Sequence, residues 1–339
     1  MTPNPQNERV KRRYLAYLKE AKQLADQTLD GVARALSLFE RHTKRKDFRA
    51  FHIQQAINFK TDLATQRSAR TGIPRSVSSR HTILLALREF FRWLAGQPGY
   101  KSRIAYTDAA YFSLSLKEAR VAKARREPPT PTIEQVRHVI QMMPAVTDIE
   151  RRNRALIAFT LLTGARVGAT ASLRLKHVDL VEGKIIQDAR EVSTKFSKSF
   201  PTYFFPIGND ILAIFVEWVR YLRVEKLLGH NDPLFPASRV GLGRDQQFEV
   251  QGLASDGWSD GAPVRQIFRD AFQRAGLTYC NPHSVRRTLV LLGEQLCHTP
   301  EEFKSWSQNL GHEEVLTTFR SYGVVSDRRQ ADIIRGLGR

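Results

Sequence analysis

The sequence predicts a mainly α-helical protein with one small antiparallel β-sheet, arranged as a helical domain followed by a mixed α/β domain. Three observations lead to this fold class. Apolar residues recur with helical periodicity through most of the 339 residues. One stretch, between residues 177 and 207, favours short strands instead. A charged, proline-rich segment, residues 117–131, separates two parts that each have the size of an ordinary domain.

The N-terminal domain is predicted to contain four helices. Residues 1–8 are polar, and we expect them to be disordered. Amphipathic patterns follow over residues 9–27, 29–43, 48–65 and 76–95. In the last of these, Ser76 is a favourable N-cap, apolar side chains recur at helical spacing from Ile83 to Leu94, and Gly96 ends the pattern. Residues 9–116 are therefore predicted to form a small helical bundle.

The segment 117–131 is interpreted as a basic linker, because its three prolines cannot continue a helix. Residues 132–339 are predicted to form the mixed domain. Its helices are expected over residues 132–143, 150–162, 168–175, 210–228, 262–275, 283–297, 300–310 and 326–337. Between the third and fourth of these helices, residues 178–207 favour three antiparallel strands with a polar turn near Ser197.

The basic charge of the protein is concentrated in the first third of the chain. The whole sequence has 53 Lys and Arg against 34 Asp and Glu, a net charge of +19. Residues 1–126 hold 26 basic and 10 acidic side chains, whereas residues 127–339 hold 27 and 24. So large a surplus repels itself unless an anionic partner neutralises it. Nucleic acid is the first candidate partner and an acidic membrane surface the second, while charge that serves only solubility is the alternative to both.

Several basic residues of this region are candidate contacts to DNA phosphates. They lie on the polar faces of predicted helices, in a cluster between two helices, or in the linker. The candidates are Arg41, Lys44, Arg45, Lys46, Arg75, Arg80, Arg88, Arg92, Lys123, Arg125 and Arg126.

The composition excludes several classes of protein. An apolar content of 42% with 19 Phe and 4 Trp excludes a fully disordered chain. The best apolar run, Ala155–Leu162, is far shorter than the roughly 20 residues that span a bilayer. The two cysteines, Cys280 and Cys297, are too few for a disulfide framework or a four-ligand zinc site. We therefore expect a reducing, cytoplasmic compartment, no membrane partner, no metal site and no cofactor.

The first candidate site residue is Arg166, in the sequence T-G-A-R. Gly164 is suited to end the apolar helix before it, so that Arg166 lies at a junction between two helices. A buried arginine must pair with a carboxylate or carbonyl group, or face an anion. The residues alone leave both alternatives open.

A second candidate site lies at the start of the predicted helix 283–297. Asn281 can cap this helix, and Pro282 suits its first position. His283 and Arg286 share one face of the helix because they are three residues apart. The N-terminus of a helix favours phosphate, which an imidazole and a guanidinium there would also bind. The spacing H-x-x-R by itself is a weak signal in so basic a sequence.

Three further residues gain interest from their order in the chain. His312 follows a Leu-Gly pair, at which a helix is predicted to end with a left-handed glycine. Tyr322 lies ten residues further on. Lys195 lies in the predicted strand region, with Lys198 as a competitor for any role. Taken singly, Tyr322 and Lys195 are better explained as surface residues.

Taken in order, these motifs resemble those of the tyrosine recombinases, also called the phage integrase family. The matching elements are T-G-x-R at 163–166, Lys195, H-x-x-R at 283–286, L-G-H at 310–312 and Tyr322. The resemblance covers the second domain, and the stretch SSRHTILLALREFFRWLAGQ in the first domain is similar to the helical core-binding module of the family. The sequence differs from the usual pattern at Ser321, where the family tyrosine commonly stands, and at Ala169, where an acidic residue is common.

The resemblance implies a site-specific DNA recombinase, an integrase that cuts and rejoins duplex DNA without ATP, metal or cofactor. It implies that Tyr322 attacks the phosphorus and forms a 3′-phosphotyrosyl link. Arg166 and Arg286 would hold the phosphate oxygens during this step. Lys195 would protonate the departing 5′ oxygen.

The same resemblance implies roles for the histidines and an assembly. His283 would assist proton transfer with the tyrosine, and His312 would hydrogen-bond the phosphate. The implied assembly is a homotetramer on double-stranded recombination sites, with DNA-bending or directionality proteins as further partners. A last helix over residues 327–336 is expected to dock on a neighbouring subunit.

Two other functions are alternatives to this interpretation. A type IB topoisomerase or a telomere resolvase would use the same chemistry, and supercoil relaxation on any sequence would favour the topoisomerase. A DNA-binding protein that has lost catalysis is the remote alternative, because every kind of active-site residue is present. In each case we expect a bacterial or phage-encoded protein that associates with the nucleoid.

Overall fold

Two hydrophobic cores divide the chain into an N-terminal unit, residues 1–126, and a C-terminal unit, residues 127–339. The computed structural model describes residues 3–67, 72–124, 129–194, 197–243, 246–312 and 334–335. Within these ranges the protein is mainly helical, with two small antiparallel sheets. The predicted fold class is confirmed. No helix in the described ranges is long and apolar enough to cross a bilayer.

The N-terminal unit is a bundle of five α-helices in its described part. They are α1 (Pro5–Glu20), α2 (Asp26–His42), α3 (Ile53–Thr65), α4 (Val77–Ala95) and α5 (Leu116–Lys123). Short 3-10 turns cover Phe48–Ala50 and Tyr106–Tyr111. As predicted, the Ser76 side chain caps α4 by accepting from the Ser79 N–H, and Gly96 ends the helix.

Aromatic rings hold this bundle together. Phe39 of α2 meets Phe91 of α4 edge to face at 5.4 Å between ring centres, and it meets Phe59 of α3 in the same way at 5.3 Å. Phe112 stacks on Phe91 at 4.9 Å. Such edge and offset contacts between rings add to the free energy gained by burying them.

Two expectations for this unit are corrected. The expected disorder of residues 1–8 is wrong from Pro5 onward, because the Asn4 side chain caps α1 by accepting from the N–H groups of Gln6 and Asn7. The buried Asn7 amide then donates to Glu40 at 3.0 Å, which fixes this end in the bundle. The second correction concerns the expected linker. Its first part is helix α5, which the Ser115 hydroxyl caps by accepting from the Glu118 N–H.

The C-terminal unit contains seven described helices and five strands. The helices are α6 (Ile133–Met142), α7 (Asp148–Thr163), α8 (Val167–Ser172), α9 (Asn209–Arg220), α10 (Ala262–Arg274), α11 (Pro282–Leu296) and α12 (Pro300–Asn309). The strands are β1 (Val178–Asp179), β2 (Lys184–Gln187), β3 (Phe200–Tyr203), β4 (Ser238–Leu242) and β5 (Phe248–Leu253). A 3-10 turn, Leu175–His177, precedes β1, and a π-turn, Tyr221–Glu225, follows α9.

Helix α7 forms the centre of this unit. Its residues from Ala155 to Thr163 are all buried, which explains why the sequence there is mostly apolar on every side of the helix rather than along one stripe. The first sheet has the order β1-β2-β3 and is antiparallel, with Ile185 paired to Val178 on one side and to Thr202 on the other. These are the three predicted strands.

The second sheet, the β4–β5 hairpin, was not predicted from the sequence. Its cross-strand pairs Val240↔Val250 and Leu242↔Phe248 bring four apolar side chains together, and all four are exposed, Phe248 to 79%. A strand pattern is recognised by the alternation of buried apolar and exposed polar residues. This hairpin has no buried apolar face, so that signal is missing. The helix expected over residues 326–337 lies outside the described residues except for 334–335.

Candidate active site

One left-handed turn brings the sequence motifs together. Gly164 ends α7 with φ +59° and is so closely enclosed that a Cβ there would lie 2.8 Å from Leu310 and 3.0 Å from Leu289. A side chain is thus excluded both by the backbone conformation and by the neighbours. The turn therefore lies against α11 and against the chain that follows α12. It also starts the short segment that leads to Arg166.

Arg286 joins the same three segments through hydrogen bonds. Its side chain is buried, with the whole residue 5% exposed. Nη1 donates to the carbonyl oxygen of Gly164 at 2.7 Å, and Nη2 donates to the carbonyl oxygen of Leu310. Both carbonyl groups follow helices and lack the partners that a continued helix would supply. One guanidinium thus links the T-G-x-R, H-x-x-R and L-G-H motifs.

Arg166 adds a second positive charge beside the first. It is the N-cap residue of α8 and is half-buried. Burial lowers the pKa of Arg166. Burial also lowers the pKa of Arg286, to about 9, and the charge of Arg166 contributes to that shift. In the described part of the chain, neither guanidinium forms an ion pair with a carboxylate.

The two histidines lie at this cationic centre. His283 is exposed in the first turn of α11, where the Asn281 side chain caps the helix by accepting from the Ser284 N–H at 3.2 Å. His312 follows Gly311, whose φ is +66°, and its N–H donates to the Ser307 carbonyl at 3.2 Å. Burial and, after it, the charges of Arg286, Arg166 and His283 lower the pKa of His312 to about 3.

The structure thus places four of the six predicted catalytic residues close together. They are Arg166, His283, Arg286 and His312. Two guanidinium groups and two imidazoles influence one another here, and within the described residues no carboxylate forms an ion pair with either arginine. Such a centre favours an anion with several oxygens, since each guanidinium presents paired N–H donors.

The other two predicted catalytic residues, Lys195 and Tyr322, lie outside the described residues. The chain before residue 195 is held in place by described contacts. The Ser193 N–H donates to the Ser172 hydroxyl at 2.8 Å, and the Glu191 carboxylate binds the side chains of Lys176 and His177. Lys198, the competitor to Lys195, is half-buried.

Contacts that the sequence does not reveal connect this site to the rest of the unit. Trp306 of α12 donates its indole N–H to the Leu289 carbonyl of α11 at 2.9 Å, and a Cβ at Gly293 would lie 2.7 Å from the indole ring. Asn309 bonds both backbone groups of Tyr203 in β3. In the sequence, the signal for this close packing is Gly293, a glycine inside the predicted helix 283–297.

The predicted DNA contacts of the N-terminal unit have different surroundings in the structure. Arg80, Arg88 and Arg92 lie on α4 and form ion pairs with glutamates at 3.3 to 3.5 Å. Arg41 and Arg75 instead line a cleft between α2 and α4. Four more lie elsewhere in the unit: Lys44, Arg45 and Lys46 follow α2, and Lys123 ends α5. Arg125 and Arg126 lie outside the described residues.

Comparisons with known proteins agree with the motifs. Residues 132–329 match the model of the phage integrase family. The tyrosine recombinase XerC of Halalkalibacterium halodurans is 25% identical over 336 residues, which are 97% of each chain.

Two solved structures share the fold. A lambda integrase tetramer bound to a Holliday junction has a TM-score of 0.62 at 15% identity, over 96% of this chain and 82% of its own. The XerH site-specific recombinase bound to palindromic difH substrate, a post-cleavage complex, has a TM-score of 0.61 at 16% identity, over 98% of this chain and 85% of its own.

Proposed function

Because the chain belongs to the phage integrase family of tyrosine recombinases, we propose that it recombines duplex DNA at specific sites through a 3′-phosphotyrosyl intermediate on Tyr322. The substrate is a phosphodiester, and the products of the first step are a protein-bound 3′ end and a free 5′-hydroxyl. The second step reverses the first on another 5′ end. Each step replaces one phosphodiester bond by another, so no ATP is required.

The observation that carries this proposal is the paired cationic centre of Arg286 and Arg166. A phosphodiester gains negative charge as it becomes pentacoordinate, and two preorganised guanidinium groups stabilise that charge more than they stabilise the starting ester. The two carbonyl groups that hold Arg286 fix its plane without neutralising its charge. In the free protein the two adjacent positive charges repel each other, and a bound phosphate reduces this repulsion.

The proton transfers are assigned to the remaining residues of the motifs. The Tyr322 oxygen loses its proton and bonds to phosphorus, with His283 assisting as the base. The bond from phosphorus to the 5′ oxygen breaks, and Lys195 supplies the proton that makes the 5′-hydroxyl. His312 donates a hydrogen bond to a phosphate oxygen as a neutral imidazole, which agrees with its lowered pKa.

The proposed assembly is a homotetramer with four sites on two duplexes. Support comes from lambda integrase, which forms a tetramer on a Holliday junction, and from the XerC relative that this chain matches along nearly its whole length. Sequence-specific cleavage distinguishes this function from that of a type IB topoisomerase. Accessory proteins that bend DNA or set direction belong to the same proposal.

The test is covalent capture of nicked DNA. The substrate is a library of duplexes of mixed sequence, each with a nick near its centre. After cleavage, the short strand between the cut and the nick dissociates, so it cannot rejoin and the protein remains attached to the DNA. We expect the wild-type protein to enrich one family of sequences and to carry the DNA on the peptide containing Tyr322, as found by mass spectrometry. Tyr322→Phe should bind the enriched duplex with wild-type affinity and capture none of it. Capture by that variant would show that another residue is the nucleophile.

A second substrate tests the proton donor. Replacing the bridging 5′ oxygen by sulfur gives a leaving group that needs little acid. We expect Lys195→Ala to be slow on the normal duplex and to recover most of its rate on the sulfur-containing one. If Lys198→Ala shows this rescue and Lys195→Ala does not, the acid is Lys198.

A further inference from the structure

Helix α8 contacts the segment 188–194, the chain that continues into the proposed acid Lys195. The helix is six residues long and begins at its N-cap residue, Arg166. At its other end, the Ser172 hydroxyl accepts a hydrogen bond from the Ser193 N–H at 2.8 Å. Ser193 stands two residues before Lys195 in the sequence. One short helix therefore connects the backbone of Arg166 to the segment that leads to Lys195.

The Ser172 hydroxyl is oriented by its own helix. Its proton is directed to the carbonyl oxygens of Gly168, at 3.0 Å, and Ala169, at 3.1 Å. The lone pairs of the oxygen are then available to the Ser193 N–H. The other hydroxyl of α8, on Thr170, donates within the helix to the Arg166 carbonyl at 3.2 Å. In the described ranges, Ser172 is thus the residue of α8 whose side chain bonds to the segment 188–194.

Gly168 allows the same segment to lie directly against the helix. A Cβ added at Gly168 would be 3.3 Å from the Ser193 carbonyl oxygen and 3.7 Å from the Ser193 Cβ. The φ of Gly168 is not in the left-handed region, so the backbone conformation does not require glycine. Glycine inside a helix is also less stable than alanine. The space that this glycine leaves is occupied by the backbone of Ser193.

The segment 188–194 has further contacts before it reaches Ser193. The Glu191 carboxylate binds Lys176 Nζ at 2.8 Å and His177 Nε2 at 2.9 Å. The next residue, Val192, is buried in the core of the unit. If the bond to Ser172 is lost, these contacts still attach the segment to the unit. The part of the segment that can then shift is the end nearest Lys195.

The bond between Ser172 and Ser193 contributes more to position than to stability. Ser193 is exposed, so water can bond to its N–H when the Ser172 hydroxyl is absent. A general acid, in contrast, must lie within hydrogen-bond reach of the oxygen that it protonates. A displacement of about 1 Å can slow a reaction by about 10². Loss of the Ser172 hydroxyl is therefore expected to change the reaction rather than the fold.

We propose that Ser172 is a positioning residue for the proton-donating step. Its hydroxyl, together with the space at Gly168, holds the segment 188–194 against the helix that begins at Arg166. The arginine that binds the phosphate and the lysine that protonates the 5′ oxygen are thereby kept in a fixed relation. Ser172 acts through Lys195 and takes no part in bond making. The inference rests on the proposed function, in which Lys195 is the acid.

The experiment compares single-turnover adduct formation on two nicked duplexes that differ in the bridging 5′ atom, oxygen or sulfur. A sulfur leaving group needs little acid, so a defect confined to the acid disappears on that duplex. Ser172→Ala should be about tenfold slower than the wild-type protein on the oxygen duplex and within about twofold of it on the sulfur duplex. Its melting temperature should stay within about 2 °C of the wild-type value.

Two neighbouring variants sharpen this comparison. Ser193→Ala removes a hydroxyl from the same segment but keeps the N–H that Ser172 binds, so it should match the wild-type protein on both duplexes. Gly168→Ala places a Cβ 3.3 Å from the Ser193 carbonyl oxygen and displaces the segment. It should be about threefold slower on the oxygen duplex alone, although alanine favours the helix.

Equal losses of rate on both duplexes for Ser172→Ala, or no loss on either, would overturn the inference. So would a loss in Ser193→Ala as large as that in Ser172→Ala. Lys195→Ala separates this failure from that of the proposed function, because it should be slow on the oxygen duplex and recover on the sulfur duplex if Lys195 is the acid. Without that recovery, or without adduct formation by the wild-type protein, the proposed function is wrong and the inference is wrong with it.

Discussion

Two arginines of the C-terminal unit are buried to nearly the same degree, yet the partners of their guanidinium groups differ. Arg152 is 3% exposed and Arg286 is 5% exposed. Arg152 donates to the Asn153 side chain, to the Pro236 carbonyl and to the Ser238 hydroxyl, and it lies 5.0 Å from the centre of the Trp258 ring. Arg286 donates to two carbonyls and has another arginine as its neighbour.

This difference shows that burial alone does not identify a site. Burial lowers the pKa of Arg152 to about 10 and that of Arg286 to about 9, so the shifts are similar. The difference lies in the donors. Arg152 donates its N–H groups to other parts of the fold, and through them it joins the start of β4 to α7. Arg286 donates to two carbonyl groups and has Arg166 as a charged neighbour, and under the proposed function its remaining donors bind the phosphate.

The largest expected effect comes from replacing each buried arginine by lysine. Arg286→Lys should slow formation of the covalent DNA adduct by about 10³, because a point charge cannot reproduce the paired donors. Arg152→Lys should lower the free energy of unfolding by about 3 kcal/mol and leave the adduct rate per folded molecule unchanged. Urea unfolding and single-turnover capture measure the two quantities. Equal losses of adduct rate in both variants would show that the two arginines do not differ in their contribution to the reaction.

A smaller effect is expected at Arg166, which is half-buried. Arg166→Ala should slow adduct formation by about 10². It should also raise the stability of the free protein by about 1 kcal/mol, since the charge that lowers the pKa of Arg286 is gone. Thermal unfolding without DNA tests the second part. A loss of stability would mean that Arg166 supports the fold, as Arg152 does.

Inorganic phosphate tests whether Arg286 binds a phosphate group in the absence of DNA. At about ten times its Kd, phosphate should stabilise the wild-type protein by ~1.4 kcal/mol. The same stabilisation is expected for Arg152→Lys and is expected to be absent in Arg286→Lys. Melting curves with phosphate, compared at equal ionic strength with chloride, make the measurement. A gain shared by Arg286→Lys would place the phosphate elsewhere, for example in the α2–α4 cleft.

The smallest effect concerns the pH dependence of stability. The pKa of His312 is lowered from 6.5 to about 3 in the folded protein, by burial first and then by the charges of Arg286 and Arg166. As the pH falls below 6.5, the unfolded chain binds a proton that the folded protein does not, so the free energy of unfolding decreases down to about pH 3. In His312→Gln this part of the decrease should be missing. Identical pH profiles for the two proteins would show that the site does not hold the imidazole neutral.

Local patterns predicted much of the fold correctly. The Ser76 cap and the Gly96 end of α4 were visible because capping and helical spacing involve neighbours in the chain. The start of α1 was missed although Asn4 and Pro5 form a recognisable cap, because the polar composition suggested disorder. The β4–β5 hairpin was missed for a different reason, since its exposed apolar residues do not alternate with buried ones.

In the candidate site too, features set by neighbours in the chain are predictable, and contacts between distant residues are not. Sequence patterns predict most of the helices, the segregation of basic charge into residues 1–126, and the motifs around Arg166, His283, Arg286 and His312. It left open whether Arg166 pairs with a carboxylate or faces an anion.

How these motifs meet depends on the packing of the folded chain. Gly164, Arg286 and Leu310 are far apart in the chain, and their contact depends on how α7, α11 and the end of α12 pack. Spacing along a chain encodes backbone periodicity, whereas the carbonyl partners of Arg286 and the close enclosure of Gly164 are set by which atoms lie nearby in space.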